Sequence, residues 1–242
     1  MSVREEITEC CKRLRLSQNM VKSLDLIEKQ DTEEFILEVL SREIEYREES
    51  RKARNLKTAG FYTLKTFDDF VFDNIRFPAG TNPDVLRTCA FIEERKNLIL
   101  FGNVGTGKTH MATALGVDAC RHGKKVRFFR TAALVNQLLE AKKGGELQKF
   151  FKQIQKADLI ICDEWGYVPL DKDGSRLLFQ LVSDCYERQS IILTTNLEFS
   201  RWVTIFYDEQ MTTAMIDRLV HHSHLLVFDG ESWRMKNSLL RQ

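Results

Sequence analysis

Apolar positions along the chain follow two different periods, and the change between them divides the sequence. In the first stretch the spacing is helical: Val3, Ile7, Cys10, Cys11 and Leu14 share one side. A second helical stretch runs from about Met20 to Glu28. Asp31 and Glu34 then stand at the spacing of a capping box, ahead of Phe35, Ile36, Val39, Leu40 and Ile44 on one helix face. The pattern fades into "EYREESRKARNLK", where charges fall on every side. These positions predict a small all-helical domain over residues 1–60, its last helix emerging into solvent.

Residues Thr58 to Gly80, "TAGFYTLKTFDDFVFDNIRFPAG", have no clean period, many aromatics and a Pro-Ala-Gly turn. Residues 61–80 read as a linker packed along a second domain. Asn82 and Pro83 then open a helix, Asn as N-cap and Pro at the first helical position. Beyond them short apolar runs alternate with helical spacing. Leu98–Phe101, Val126–Phe129, Leu159–Cys162 and Ile191–Thr194 predict strands. The alternation predicts an α/β domain over residues 81–242 with a central, mainly parallel sheet.

Composition narrows the class. The chain has 242 residues, 43% hydrophobic and 29% charged, which suits an ordinary globular protein of one domain plus an appendage. A formal net charge of +1 argues against a wholesale polybasic coat for nucleic acid but leaves room for local basic patches. No apolar run approaches the ~18 residues of a membrane span, and the start "MSVREEITECC" is charged. Neither a span nor a signal peptide is expected. The six cysteines contain no C-x-x-C pair. They read as reduced thiols of a cytoplasmic protein, mostly buried as small hydrophobes.

The chemistry concentrates in "LILFGNVGTGKTH", Leu98–His110. Three of the chain's 12 glycines, Gly102, Gly105 and Gly107, stand in this turn. Gly102-x-x-x-x-Gly107-Lys108-Thr109 is the P-loop spacing. Glycines let successive N–H groups point at one anion, and the following helix adds its positive dipole end. The candidate nucleotide-binding residues are therefore Gly102, Asn103, Val104, Gly105, Thr106, Gly107, Lys108, Thr109 and His110. Lys108 is placed to reach the β- and γ-phosphates and Thr109 to bind Mg²⁺, so ATP and Mg²⁺ are the expected cofactors. In "ADLIICDEWG" a short strand ends in Asp163-Glu164. Asp163 suits Mg²⁺ through its water shell, and Glu164 suits polarising an attacking water. "SIILTTN" ends another strand at Thr195-Asn196. Asn196, or Thr195 beside it, suits a hydrogen bond to the γ-phosphate or the lytic water; on spacing alone, Asn196 is equally a helix N-cap or turn residue. A small-molecule P-loop kinase is the reading from another class, but the carboxylate pair suits water activation better.

These motifs and "AMIDRLVHH" occur in the same order and spacing in the AAA+ ATPases of the DnaC/IstB group, which the chain resembles over nearly its whole length. "YTLKTFDDFVFD", "VRFFRTAALVNQLLEA", "LIICDEWGYVPLD" and "DRLVHHSHLLVFDGESWR" look like the IstB-like transposition helper ATPases in particular. The resemblance implies an AAA+ P-loop domain that hydrolyses ATP with Lys108, Glu164, Asn196 as sensor 1 and Arg218 as arginine finger. A finger acts on a neighbouring subunit's nucleotide, so a homo-oligomer is implied. So is a role in DNA transposition: assembly on duplex DNA with little sequence preference, and recruitment or activation of the element's transposase. A helicase loader of the DnaC type is the alternative with the same core. "HLLVFDGESWRMKNSLLRQ" is too short for the three-helix lid that AAA+ proteins often carry, so no sensor 2 arginine is assigned.

Resemblance to initiator-type AAA+ proteins also marks "RTAALVNQLLEAKKGGELQKFFKQIQK", where Gly144-Gly145 predicts a break between two helices. Lys142, Lys143, Lys149, Lys152 and Lys156 suit phosphate contacts, although Glu140 and Glu146 interleave. Arg51–Lys57 is a second basic stretch. His221, His222 and His224 in "HHSH" invite a metal reading. Adjacent side chains of a strand point to opposite faces, and no fourth ligand is evident, so no metal is expected there.

Overall fold

A computed structural model describes residues 3–27, 32–68, 70–206 and 208–236. The chain divides at Arg54/Asn55 into two units. The first is helical. α1 (Val3–Arg13) has Glu5 and Glu6 in its first turn and Lys12 and Arg13 in its last, which complements its dipole. α2 (Gln18–Ser23) stops earlier than the periodicity predicts. Glu28 and Asp31, the expected helix end and capping residue, lie outside the described residues. α3 spans Thr32–Thr58. The apolar face expected on α3 is only partly covered: Val39 is buried, but Ile36, Leu40 and Ile44 are exposed. α1 and α2, 11 and 6 residues long, carry too little apolar surface to cover the whole stripe. Glu43 is buried beside Val39. Burial alone raises a carboxyl's pKa. Here the Ser17 hydroxyl, the Ser17 N–H at 2.8 Å and the Arg47 guanidinium at 2.7 Å outweigh it and hold Glu43 below its usual range.

The second unit takes in the last residues of α3. The Asn55 side chain donates to the carbonyls of Gly123 and Lys124 at 2.9 and 3.0 Å, and Ala59 is buried in the core. The aromatic segment that follows packs on that core through Phe61, Phe67, Phe70, Phe72 and Phe77. The elements then run β1 (Ile75–Arg76), α4 (Pro83–Arg87), α5 (Ala90–Glu93), β2 (Asn97–Gly102), α6 (Lys108–Arg121), β3 (Val126–Arg130), α7 (Thr131–Lys143), α8 (Leu147–Ile154), β4 (Leu159–Trp165), α9 (Lys172–Cys185), β5 (Ser190–Thr195), α10 (Val203–Phe206), α11 (Glu209–His221), β6 (Ser223–Phe228) and α12 (Trp233–Lys236). The N-cap expected at Asn82 forms: its side chain accepts from the Val85 N–H at 2.9 Å, with Pro83 in the first turn.

The strands make one sheet in the order β1-β6-β2-β5-β4-β3. β1 is antiparallel to β6, and every other pair is parallel. Side chains alternate across it. Leu98, Leu100, Ile161 and Ile192 face α6 and the aromatic segment, while Ile99, Ile160, Cys162 and Leu193 face α7 to α11. Two buried layers sandwich the sheet, as crossover helices on both faces require. Of the cysteines, Cys10 is exposed and the other five are buried. Burial pushes the Cys89, Cys120 and Cys162 thiols up to about 12, so they are unreactive at neutral pH. Among the described residues no helix is long and apolar enough to cross a membrane.

Candidate nucleotide-binding site

The site lies where the parallel strands end. β2 runs out at Gly102, and the loop after it is shaped by glycine at two close approaches. At Gly102 (φ 150°) a Cβ would stand 2.3 Å from the Phe228 carbonyl oxygen; at Gly105 (φ 79°) it would stand 2.2 Å from the Ser232 hydroxyl. Gly107 leads into α6, whose first N–H groups have no helical partners and favour an anion. Lys108 Nζ donates to the Gly102 and Asn103 carbonyls at 2.8 and 2.6 Å. Burial pulls its pKa down to about 8, with Asp163 opposing the fall and Arg234 adding to it. Thr106 closes the loop on the Asn103 carbonyl at 2.8 Å. His110 binds the Thr66 carbonyl at 2.7 Å and its ring lies 4.9 Å from Phe70, which ties the helix start to the aromatic segment.

Asp163 is the node between strands. It is buried, and one carboxylate oxygen accepts from Thr109 at 2.8 Å and from Thr194 at 2.6 Å. The β4–β5 register shifts between Cys162 and Trp165, an irregularity that re-aims side chains next to sites. Glu164 sits in this shift at φ 59°, with its N–H on the Thr194 hydroxyl at 3.0 Å. A non-glycine residue in that region is strained. Its carboxylate is exposed and lies 3.8 Å from Arg130 at the end of β3. Arg130 in turn stands 4.5 Å over the Tyr62 ring.

The two residues at the end of β5 differ in their partners. Thr195 is spent on backbone, donating to the Trp165 carbonyl at 3.0 Å and accepting from the Leu197 N–H at 3.1 Å. The Asn196 Oδ1 is buried with no hydrogen-bond partner among the described residues, and such an atom calls for a ligand or water. These residues fit a magnesium nucleotide: a cation and free N–H groups for phosphates, Thr109 and Asp163 oxygens for Mg²⁺, and an unsatisfied oxygen beside them.

The sequence pattern of the family described as IstB-like ATP binding protein matches residues 15–241. The chain belongs to the IstB-like ATP-binding protein family. Its relatives include the ATP-binding protein of insertion sequence IS21 from Pseudomonas aeruginosa, 38% identical over 84% of this chain and 77% of that one. Another is the ATP-binding protein of IS5376 from Geobacillus stearothermophilus, 34% identical over 99% and 98%. Solved structures share the AAA+ P-loop fold. DnaA from Aquifex aeolicus bound to AMPPCP gives a TM-score of 0.52 at 18% identity, over 63% of this chain and 47% of that one. DnaI gives 0.51 at 14%, over 69% and 89%. The chain thus spans about half the length of the DnaA chain.

In this IstB-like chain the remaining candidates lie apart from the loop. Arg218 donates to the Ala214 carbonyl at 2.8 Å and stands 5.1 Å over the Phe179 ring. The end of α11 meets the start of β2, since Ser223 lies opposite Asn97. That is the end of β2 opposite the P-loop, which follows Gly102. Arg234, which the sequence reading did not single out, lies near the loop in the structure. The Trp233 N–H donates to the Gly105 carbonyl at 2.9 Å, which lays α12 against the loop and brings the Arg234 charge to bear on Lys108. α7 and α8 form with the break at Gly144-Gly145. Lys142 pairs with Asp173 and Lys149 with Glu146, both at 3.0 Å; Lys143, Lys152 and Lys156 are exposed. The histidines differ from expectation. His221 ends α11, His222 caps it, and the strand starts only at Ser223. Their rings therefore do not point apart, and the centroids are 4.0 Å from each other.

Proposed function

We propose that this chain is an ATP-hydrolysing helper that assembles on duplex DNA and recruits or activates the transposase of its insertion sequence. The observation that carries the hydrolytic part is the Asp163–Glu164 pair. One carboxylate is buried and bonded to Thr109 of the P-loop, and the next is exposed and turned outward by a left-handed backbone. Asp163 and Thr109 hold the Mg²⁺, Lys108 and Arg234 meet the phosphates, Asn196 orients the lytic water, and Glu164 takes its proton. Mg²⁺ supplies charge neutralisation on the β- and γ-phosphates when bound. Arg218 stands near the end of α11, which meets the start of β2 rather than the P-loop at its end, and this suits a finger offered to the next subunit of a homo-oligomer. Relatives named for insertion sequences support the transposition context. The helical first unit, the basic stretch Arg51–Lys57 and the lysines of α7 and α8 are the surfaces for DNA and transposase.

Glu164→Gln tests this reading. The amide keeps the shape but cannot accept a proton. ATP affinity should stay within about twofold while turnover falls by about 10²–10⁴. Steady-state hydrolysis with binding measured in parallel decides it, and normal turnover would remove Glu164 from the mechanism.

A further inference from the structure

We propose that Glu187, His221 and His222 form a site for a divalent transition-metal ion of the zinc class. The donors come from two segments: Glu187 from the turn between α9 and β5, the histidines from the carboxyl end of α11. One ligand atom of each lies within 4.8 Å of the other two. His222 Nε2 and Glu187 Oε1 are 3.4 Å apart. A tetrahedral zinc with bonds of about 2.0–2.1 Å separates its ligand atoms by about 3.4 Å, so one edge of the tetrahedron already has its length.

The backbones are held while the side chains remain open. Glu187 is in the left-handed region at φ 56°, and its carbonyl accepts from Arg95 at 2.9 Å. The His222 carbonyl accepts from the Asn97 N–H at 2.7 Å, anchoring it to the start of β2. Tyr186 bonds Nδ1 of His221 at 2.8 Å and steadies that ring, as outer partners of metal-ligating histidines do. All three ligand side chains are exposed, so the last closure needs side-chain rotation only. Two imidazoles and one carboxylate are a zinc-class donor set, whereas Mg²⁺ and Ca²⁺ take oxygens. The fourth position is left for water or a donor from another chain. The ion would tie the end of α11, within one turn of Arg218, to the turn before β5.

The test is Zn²⁺ alone, titrated into the full chain against a chromophoric chelator. Mg²⁺ is held in excess to occupy Asp163, and Cys10, the exposed thiol, is replaced by serine. One Zn²⁺ per chain should bind and raise the melting temperature. The His221→Ala/His222→Ala pair should abolish the rise, and Glu187→Ala should weaken binding by at least about tenfold. Glu187→Gln, which keeps the side chain's shape, guards against misfolding and should weaken binding likewise. Unchanged zinc affinity in the double histidine variant overturns the proposal, as does a wild-type chain that binds no zinc stoichiometrically.

Discussion

The carboxyl end of the sheet and the α7–α8 pair both present lysines, in opposite electrostatic states. Lys108 is buried, bonded among the described residues only to carbonyls, and pulled down to about 8 by burial. Lys142 and Lys149 are exposed and already paired with Asp173 and Glu146. A buried cation without a hydrogen-bonded carboxylate is costly until an anion arrives. A surface pair contributes about 0–1 kcal/mol and exchanges partners freely. The first lysine belongs to a specific site, and the others suit a diffuse, salt-sensitive contact.

The largest effect should come from completing the charge balance at the sheet's carboxyl end. In the proposed site Lys108 and Arg234 would meet the phosphates from the loop side; an arginine at the far side is worth about 10³–10⁵ in rate in P-loop enzymes. Arg218→Ala should still bind ATP yet lose hydrolysis by a factor in that range. Mixed with Glu164→Gln protein it should recover part of the turnover, because one interface then joins an intact pocket to an intact finger. Mixtures that co-assemble and stay inactive would place Arg218 in a structural role over Phe179.

The state of Lys108 predicts a pH dependence of intermediate size. Phosphates favour the protonated lysine, so nucleotide binding should raise its pKa from about 8. Affinity should be flat below that pH, then fall by up to about tenfold per unit above it. At pH 9 binding should take up about 0.9 proton, read as a buffer-dependent heat in calorimetry. Lys108→Ala should abolish the uptake. Buffer-independent heats with the wild-type chain would mean that the lysine is already fully charged in the free protein.

The contrast also explains what was legible in the sequence. Gly102 to Thr109 had to be contiguous, because one phosphate cradle is built from successive N–H groups, and the apolar runs of β2, β4 and β5 had to be continuous because both faces are covered, whereas β3 at the sheet's edge admits Arg127. β6 is different: Ser223, His224 and Val227 are only half-buried, so its pattern is mixed. Arg234 reaches Lys108 through the Trp233–Gly105 contact, Arg130 reaches Glu164 because β3 and β4 pair at Arg130 and Asp163, and His221 meets His222 because a helix ends one residue later than a strand would allow. Each depends on a tertiary neighbour or a boundary, which local spacing does not encode. Glu43 was hidden for the same reason: a glutamate in a helix reads as solvated until Ser17 and Arg47 close on it.

The smallest effect should lie on α7 and α8. If these lysines meet DNA phosphates, each contact releases counterions and adds about 0.9 to the slope of log affinity against log salt. Replacing Lys142, Lys143 and Lys149 together by alanine should lower that slope by about 2–3, with the loss per lysine only a few-fold at physiological salt. The pairs refine the ranking. Lys142 and Lys149 must first leave Asp173 and Glu146, whereas Lys143 is exposed without such a pair among the described residues. Lys143→Ala should therefore cost at least as much affinity as Lys142→Ala, and Asp173→Asn should tighten binding slightly by freeing Lys142. Nitrocellulose filter or fluorescence-anisotropy titrations across a salt series separate these variants. An unchanged slope in the triple variant would move the DNA contact off this helix pair, and the next surface to neutralise is Arg51–Lys57.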